Sequence, residues 1–448
     1  MNSSLWALLA LVSQIAGAAI VDVLPADPSI RLLGRYGKDS YSPDIQWAWS
    51  ASGAAITFSG TSCSIRMQAQ SAIYSVLVDG KETKVLDLSK TPNDTLFSLA
   101  TGLPQGTHTV AVRLRTEAQH SLTRFRGFRI DGTPGTPPAE SDRRIEFYGN
   151  SITCGYGILD SVASHPFSVQ TENEALTYAA LAADSVGAQR HTICWSGRGV
   201  VQNYGGDTKS ATVPRMYKQV LTWDTTVVWD FSRWVPQVVV IDLGTNDYST
   251  ASAQPDSAKF FRTYRDFVDT LHARYPLARF VLVDGPMMSD NYPSGLKTLT
   301  KIRSHLDNVV ADVTKRGIKA THLSLTPQED SRGYGADYHP NRAQARLNGA
   351  ELAAHLRQIL PEWDKSSARS APLSLRPNLV RLPAGLAIHN PSQVPWNAKI
   401  VDLRGRRSWN QVVPASATMI LPATKSVQWL VLESAEGSQV RTLQPDLR

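Results

Sequence analysis

Past residue 143 the hydrophobic period of the chain changes, and this change constrains the fold more than any other feature. Upstream, apolar and polar residues alternate. Downstream, apolar runs at 145–148, 191–195, 238–243, 280–283 and 321–325 take turns with helical patterns at 174–186, 257–273, 299–315 and 342–359. Strands alternating with helices build a parallel sheet covered on both faces, here a three-layer α/β domain over 143–363. Within the second helical pattern Phe261, Tyr264, Phe267, Val268 and Leu271 recur at three- and four-residue steps, the stripe of a helix that buries one face.

Residues 20–132 read as all-β. Segments 45–49, 55–60, 64–69, 74–80, 108–115 and 124–130 alternate in polarity, and Asp79-Gly80 is a two-residue hairpin signal. Many short strands at regular spacing predict a β-sandwich of the jelly-roll type. Trp47 and Trp49 have the same parity and belong to one face, which suits core packing better than a sugar platform. A Pro/Gly-rich linker covers 133–142. A second linker at 364–373 leads to a small β-sandwich-like module over 374–448, with its best strands at 385–390, 398–406, 418–422 and 427–433. This module carries no chemical constellation. Docking to a cell surface or a glycan stands beside a purely structural role for it.

A chain of 448 residues is too long for one core, and 42% hydrophobic with 19% charged residues describes ordinary globular domains. The net charge of +7 comes from scattered arginines. Arg124, Arg126 and Arg129 alternate along one expected strand, as on a solvated face, so no nucleic-acid partner is expected. Attraction to acidic polysaccharide stays open. Residues 1–19 read as a secretory signal peptide, with an apolar run at 5–12 followed by Ala16, Gly17, Ala18 and Ala19. The run is too short to span a bilayer. A secreted, periplasmic or cell-surface protein is expected. Cys63, Cys154 and Cys194 make an odd count, with neither a disulfide framework nor zinc spacing. Small buried thiols are the favoured state, with pairing of Cys154 and Cys194 as the alternative.

Four segments fall where strands of the α/β domain end: Gly149-Asn150-Ser151-Ile152-Thr153, Trp195-Ser196-Gly197-Arg198-Gly199, Gly244-Thr245-Asn246-Asp247 and Asp337-Tyr338-His339-Pro340-Asn341. A serine at the end of a buried strand stands at the edge where open α/β sheets bind ligands. In this order the segments resemble the blocks of the SGNH, or GDSL-type, hydrolases. The ITCGYG after the serine, the WDFSRW at 229–234 and the jelly-roll lead-in narrow the resemblance to carbohydrate esterase family two, the acetyl xylan esterases of the endoglucanase-E-like type. It covers roughly residues 20–360.

That resemblance implies a serine esterase that removes O-acetyl groups from an acetylated plant-wall polysaccharide, with no cofactor and no metal. It implies Ser151 as nucleophile and His339 as general base. The Ser151 and Gly197 N–H groups and the Asn246 amide become oxyanion donors, with Gly199 competing for the place of Gly197. Two positions depart from the broad superfamily. Asn150 replaces an aspartate, which suggests a structural role. Asp337 precedes His339 by two residues rather than three, so either its carboxylate or a backbone carbonyl orients the imidazole. Tyr156, Trp229, Trp234 and Tyr338 are candidates to line a sugar subsite, with core packing as the alternative for each. There is no phosphate loop and no pair of glycosidase carboxylates. Two rivals remain: a lipid or bacterial surface-sugar esterase on the same scaffold, and a non-catalytic carbohydrate-binding protein.

Overall fold

The computed structural model describes residues 19–39, 41–90 and 95–363, and the strands of a C-terminal module between 378 and 443. Residues 1–18 of the expected signal peptide and the linker expected at 364–373 lie outside the described residues. Two compact units are formed, one from residues up to 140, 144–180 and 190–348, the other from 141–143, 181–189 and 349 onward.

In the first unit, ten antiparallel strands build the N-terminal sandwich. Its spine is the 18-residue strand Gly53–Gln70, which pairs with Ile30–Leu33, Thr95–Ala100, Gly106–Leu114 and Leu122–Pro134. The polarity pattern predicts two strands here, 55–60 and 64–69. The chain passes through without turning. Asp131 Oδ1 accepts the N–H groups of Thr61 and Ser62 at 2.7 and 2.6 Å, beside a register shift between Ile130 and Gly132. Such a bulge bends a strand without ending it. The Asp79-Gly80 turn does form, with both residues at positive φ and Val78 paired to Lys81. Trp47, Phe58, Ile65, Met67, Tyr74, Phe125 and Phe128 fill the core. Trp49 departs from Trp47: the strand ends at Trp47, and Trp49 turns into the core of the next domain.

That domain is a five-stranded sheet in the order Gln189–Cys194, Arg144–Gly149, Val238–Asp242, Arg279–Asp284, Ala320–Ser324. The last four run parallel. Numbered along the chain the order is 2-1-3-4-5, so the strand order reverses at Arg144–Gly149, the place where doubly wound sheets bind ligands. Helices Ser257–Arg274 and Thr298–Lys315 cover one face. The helical stripe is Phe260, Tyr264, Phe267, Val268 and Leu271, with Phe261 only partly buried, one position off the predicted start. On the other face Tyr178 meets Phe147 edge-on at 6.4 Å.

A buried ion pair ties the sandwich to this sheet. Arg35, wholly buried, follows strand Ile30–Leu33 and donates to Glu146 Oε1 and to the Tyr148 hydroxyl, each at 2.7 Å. Its guanidinium also lies over the rings of Trp229 and Phe231. The second unit carries a four-stranded antiparallel sheet, Arg407–Val413, Trp396–Val401, Gln428–Ser434 and Gly437–Leu443. A three-stranded sheet, Asn378–Leu382, Gly385–His389 and Thr418–Ile420, completes it, and Ile388, Trp396, Ile400 and Val413 are buried together.

Arg35→Met leaves the Glu146 carboxylate buried without its cation. The expected loss is about 3–5 kcal/mol of unfolding free energy in urea denaturation. A loss under about 0.5 kcal/mol, the range of ordinary surface substitutions, would contradict this role.

Candidate active site

Strand Arg144–Gly149 carries the chain to the sheet rim, where it turns sharply into the one-turn helix Ser151–Cys154. Asn150 makes the turn. Its Oδ1 accepts the N–H of Ile152 at 3.0 Å as an N-cap, and its Nδ2 reaches the carbonyl of Asp242 on the neighbouring strand at 3.4 Å. A charge is not needed for either bond, which accounts for asparagine in place of aspartate. Ser151 is the first helical residue, so its N–H has no acceptor within the helix.

His339 ends the 3₁₀ turn Ala336–Tyr338. This turn is clipped to the loop that follows the serine: Ala336, Asp337 and Tyr338 donate their N–H groups to the carbonyls of Gly157, His165 and Ala163. Glycine is required at 157, where a Cβ would lie 2.9 Å from the Ala336 nitrogen on a backbone at φ 64°. His339 Nε2 lies 2.9 Å from Ser151 Oγ. Nδ1 lies 3.1 Å from the main-chain oxygen of Asp337. A carbonyl oxygen only accepts, so Nδ1 carries the proton and Nε2 presents a lone pair to the serine hydroxyl.

The Asp337 carboxylate does not orient the imidazole. Its Oδ2 accepts the Tyr156 hydroxyl at 2.6 Å and the Phe167 N–H at 3.1 Å. The reason is backbone geometry: Asp337 and Tyr338 both sit in the left-handed region, φ 48° and 58°. That conformation turns the carbonyl of 337 toward the ring and the side chain away from it. Tyr156 packs on the imidazole at 4.1 Å between centroids, with Phe167 stacked on its far side at 4.2 Å. Burial pushes the His339 imidazolium down to about 4, against the opposing pull of the Asp337 carbonyl and carboxylate.

The loop after strand Gln189–Cys194 enters the same rim from one side. Gly197 has φ 76°, and its carbonyl accepts the N–H of Tyr204 at 2.8 Å. Gly199, its competitor, donates its N–H to Asn203 Oδ1. The loop after Val238–Asp242 enters from the other side. Asn246 Nδ2 donates to the Arg198 carbonyl at 2.9 Å, which fixes the amide plane and leaves its second N–H uncommitted. Asp247, which closes the third segment and has no role assigned from the sequence, anchors both loops. Its buried carboxylate accepts the N–H groups of Val200, Val201 and Gln202, and burial raises its carboxyl to about 6 against those bonds.

Three further expectations are met differently: those for Trp229, for Trp234 and for the Cys154 and Cys194 thiols. Trp229 and Trp234 do not line a sugar subsite. Both are buried around the His191 ring, which stacks on Trp234 at 3.6 Å and meets Trp229 edge-on at 5.6 Å. Tyr338 is exposed, as is Tyr204, which sequence reasoning missed. The pair of glycines after Tyr204 was the available sign of an exposed loop ring. Cys154 and Cys194 are not thiols but a disulfide, with Cα atoms 5.6 Å apart. Each lies three residues from Ser151 or Gly197, so the bond ties the serine turn to the glycine loop. Cys63 is a buried thiol.

Two family models match the chain, the carbohydrate esterase 2 N-terminal model over residues 33–138 and the GDSL-like lipase/acylhydrolase family over 147–347. The cellulase/esterase CelE of Acetivibrio thermocellus is 34% identical over 338 residues, 75% of this chain; the chain spans 40% of that protein's length. An acetylxylan esterase / glucomannan deacetylase of Cellvibrio japonicus is 30% identical over 261 residues, 58% of this chain and 68% of that one. Among solved structures, a family two carbohydrate esterase from Clostridium thermocellum in complex with cellohexaose superposes with a TM-score of 0.69 and 33% identity, over 75% of this chain and 99% of that one.

In ¹⁵N-histidine NMR, His339 is expected to be protonated on Nδ1 and bare on Nε2, in the wild type and in Asp337→Asn alike. A proton that moves to Nε2 in Asp337→Asn would mean that the carboxylate, not the carbonyl, sets the tautomer.

Proposed function

The chain belongs to carbohydrate esterase family two, and we propose that it removes O-acetyl groups from a plant cell-wall polysaccharide, xylan or another hemicellulose, through an acetyl-enzyme on Ser151. The observation that carries this reading is the 2.9 Å contact between Ser151 Oγ and His339 Nε2, made in the tautomer that a general base requires.

Ser151 Oγ attacks the acetyl carbonyl while His339 Nε2 takes its proton. The carbonyl oxygen becomes an oxyanion and is met by the N–H groups of Ser151 and Gly197 and the free N–H of Asn246. Each such donor contributes about 3–4 kcal/mol in the transition state. As the tetrahedral intermediate collapses, the imidazolium returns the proton to the sugar oxygen and the C–O bond breaks. Water repeats the sequence on the acetyl-serine, and acetate leaves. No cofactor enters these steps. The carbonyl of Asp337 acts in place of a third catalytic side chain, holding Nδ1 while Nε2 gains and loses its proton.

The exposed rings of Tyr204 and Tyr338 offer faces for a pyranose. Export is consistent with the signal-peptide pattern of residues 1–19, and among the described residues no helix is long and apolar enough to cross a membrane.

Acetate release from acetylated xylan or 4-nitrophenyl acetate tests the assignment. Ser151→Ala and His339→Ala are each expected to lower kcat by about 10⁴-fold or more. Full activity in both would overturn it, and faster turnover of long-chain than of acetyl esters would favour a lipid esterase. The pH profile is a separate check. The base works only when neutral, and burial lowers its titration to about 4, so the acid limb of kcat/KM is expected near pH 4. A limb near pH 6.5, where an unperturbed imidazole titrates, would contradict the lowered titration of the base.

A further inference from the structure

We infer that Glu117, a residue of the sandwich domain, positions the oxyanion loop by holding its main chain at Ser196, one residue before Gly197. The inference rests on the esterase reading above.

Glu117 lies between strands Gly106–Leu114 and Leu122–Pro134 and is wholly buried. Its Oε2 accepts the Ser196 N–H at 2.6 Å. Its Oε1 accepts Gln119 Nε2 at 2.8 Å, and Gln119 Oε1 in turn accepts the Trp195 indole N–H at 2.9 Å. Two consecutive residues of the loop therefore hang on one carboxylate and its neighbour. Beneath them lies Glu172, also wholly buried, whose Oε2 accepts the N–H of Glu117 at 3.1 Å. Glu117, Cys154 and Glu172 come within metal-ligating distance of one another, but the sulfur is committed to the disulfide. A shared proton suits the pair better than a cation. Burial raises both carboxyls, and the charge of Glu117 adds to the rise at Glu172.

A buried carboxylate is costly, and its use here is specific. Its bond goes to the loop that carries a proposed oxyanion donor, not to the sheet ladder. A bond from a main-chain N–H to a carboxylate is short and strong, suited to fixing a backbone position. Catalysis is sensitive to such positions: a misplacement of about 1 Å can cost about a hundredfold in rate. The sandwich therefore supplies part of the catalytic geometry as well as a brace.

Glu117→Gln keeps one acceptor oxygen at the reach of the Ser196 N–H but sets an amide NH2 where Gln119 Nε2 now finds an acceptor, whereas Glu117→Asp keeps the charge but withdraws it by one methylene. With 4-nitrophenyl acetate, Glu117→Asp is expected to lose about a hundredfold in kcat with little change in KM. Glu117→Gln, which holds the Ser196 N–H by a neutral and weaker bond, should lose less, about tenfold. Hydrogen–deuterium exchange over residues 195–198 should be faster in Glu117→Asp and close to wild type in Glu117→Gln. Equal losses in the two variants, a wild-type kcat in Glu117→Asp, or unchanged exchange would each overturn the inference. Should Glu117→Ala fail to fold, the Gln and Asp pair still decides. If the wild type cleaves no ester, the esterase reading fails, while the exchange contrast still tests whether Glu117 holds the loop.

Discussion

A carbonyl oxygen accepts hydrogen bonds and never donates them, and the site depends on this asymmetry. Because the main-chain oxygen of Asp337 lies against Nδ1 of His339, the ring has one available neutral tautomer, and its lone pair faces Ser151. A carboxylate in that position would do the same with added charge. Here the carboxylate is turned to Tyr156 and Phe167, where it holds the ring that packs on the imidazole. Orientation and electrostatics are thus divided between the backbone and the side chain of one residue. The arrangement needs two adjacent residues in the left-handed region, and the loop at 157–165 holds them there through three main-chain bonds.

Topology explains why the remaining groups meet. The serine strand lies between the second and third strands of the sheet, so the loops leaving all three open at one rim. Each loop is fixed by buried polar groups: Asn150 across to Asp242, Asn246 to Arg198, and Asp247 to three successive N–H groups. The disulfide adds a covalent tie between the serine turn and the glycine loop. In the proposed mechanism, donors fixed in advance need no reorganisation as charge develops. In that mechanism the desolvation of His339 works in the same direction, by keeping the proposed base unprotonated.

Much of this was legible in the sequence because it is local. The parallel strands, the long helices and the four rim segments each follow from periodicity or from a few adjacent residues. Contacts between distant residues left no comparable trace. The direction of the Asp337 side chain depends on a positive φ that Asp-Tyr does not advertise. The burial of Trp229 and Trp234 depends on Arg35 and His191, far away in the chain. The Cys154–Cys194 bond spans 40 residues, and only the placing of two strand ends side by side decides it over the free thiols that the odd count favours. The continuity of Gly53–Gln70 rests on Asp131, a partner from another strand. Glu117 and Asp247 read as ordinary acidic residues until their amide partners are known.

The central claim is that acyl transfer passes through Ser151. Its most direct test is acid quench of the enzyme during turnover of an acetylated xylo-oligosaccharide, followed by peptide mass spectrometry. One acetyl group on the peptide that contains Ser151, absent without substrate and lost on prolonged incubation, is the result expected. Acetate release with no acetylated peptide at any quench time, or with the acetyl group on another residue, would contradict the account.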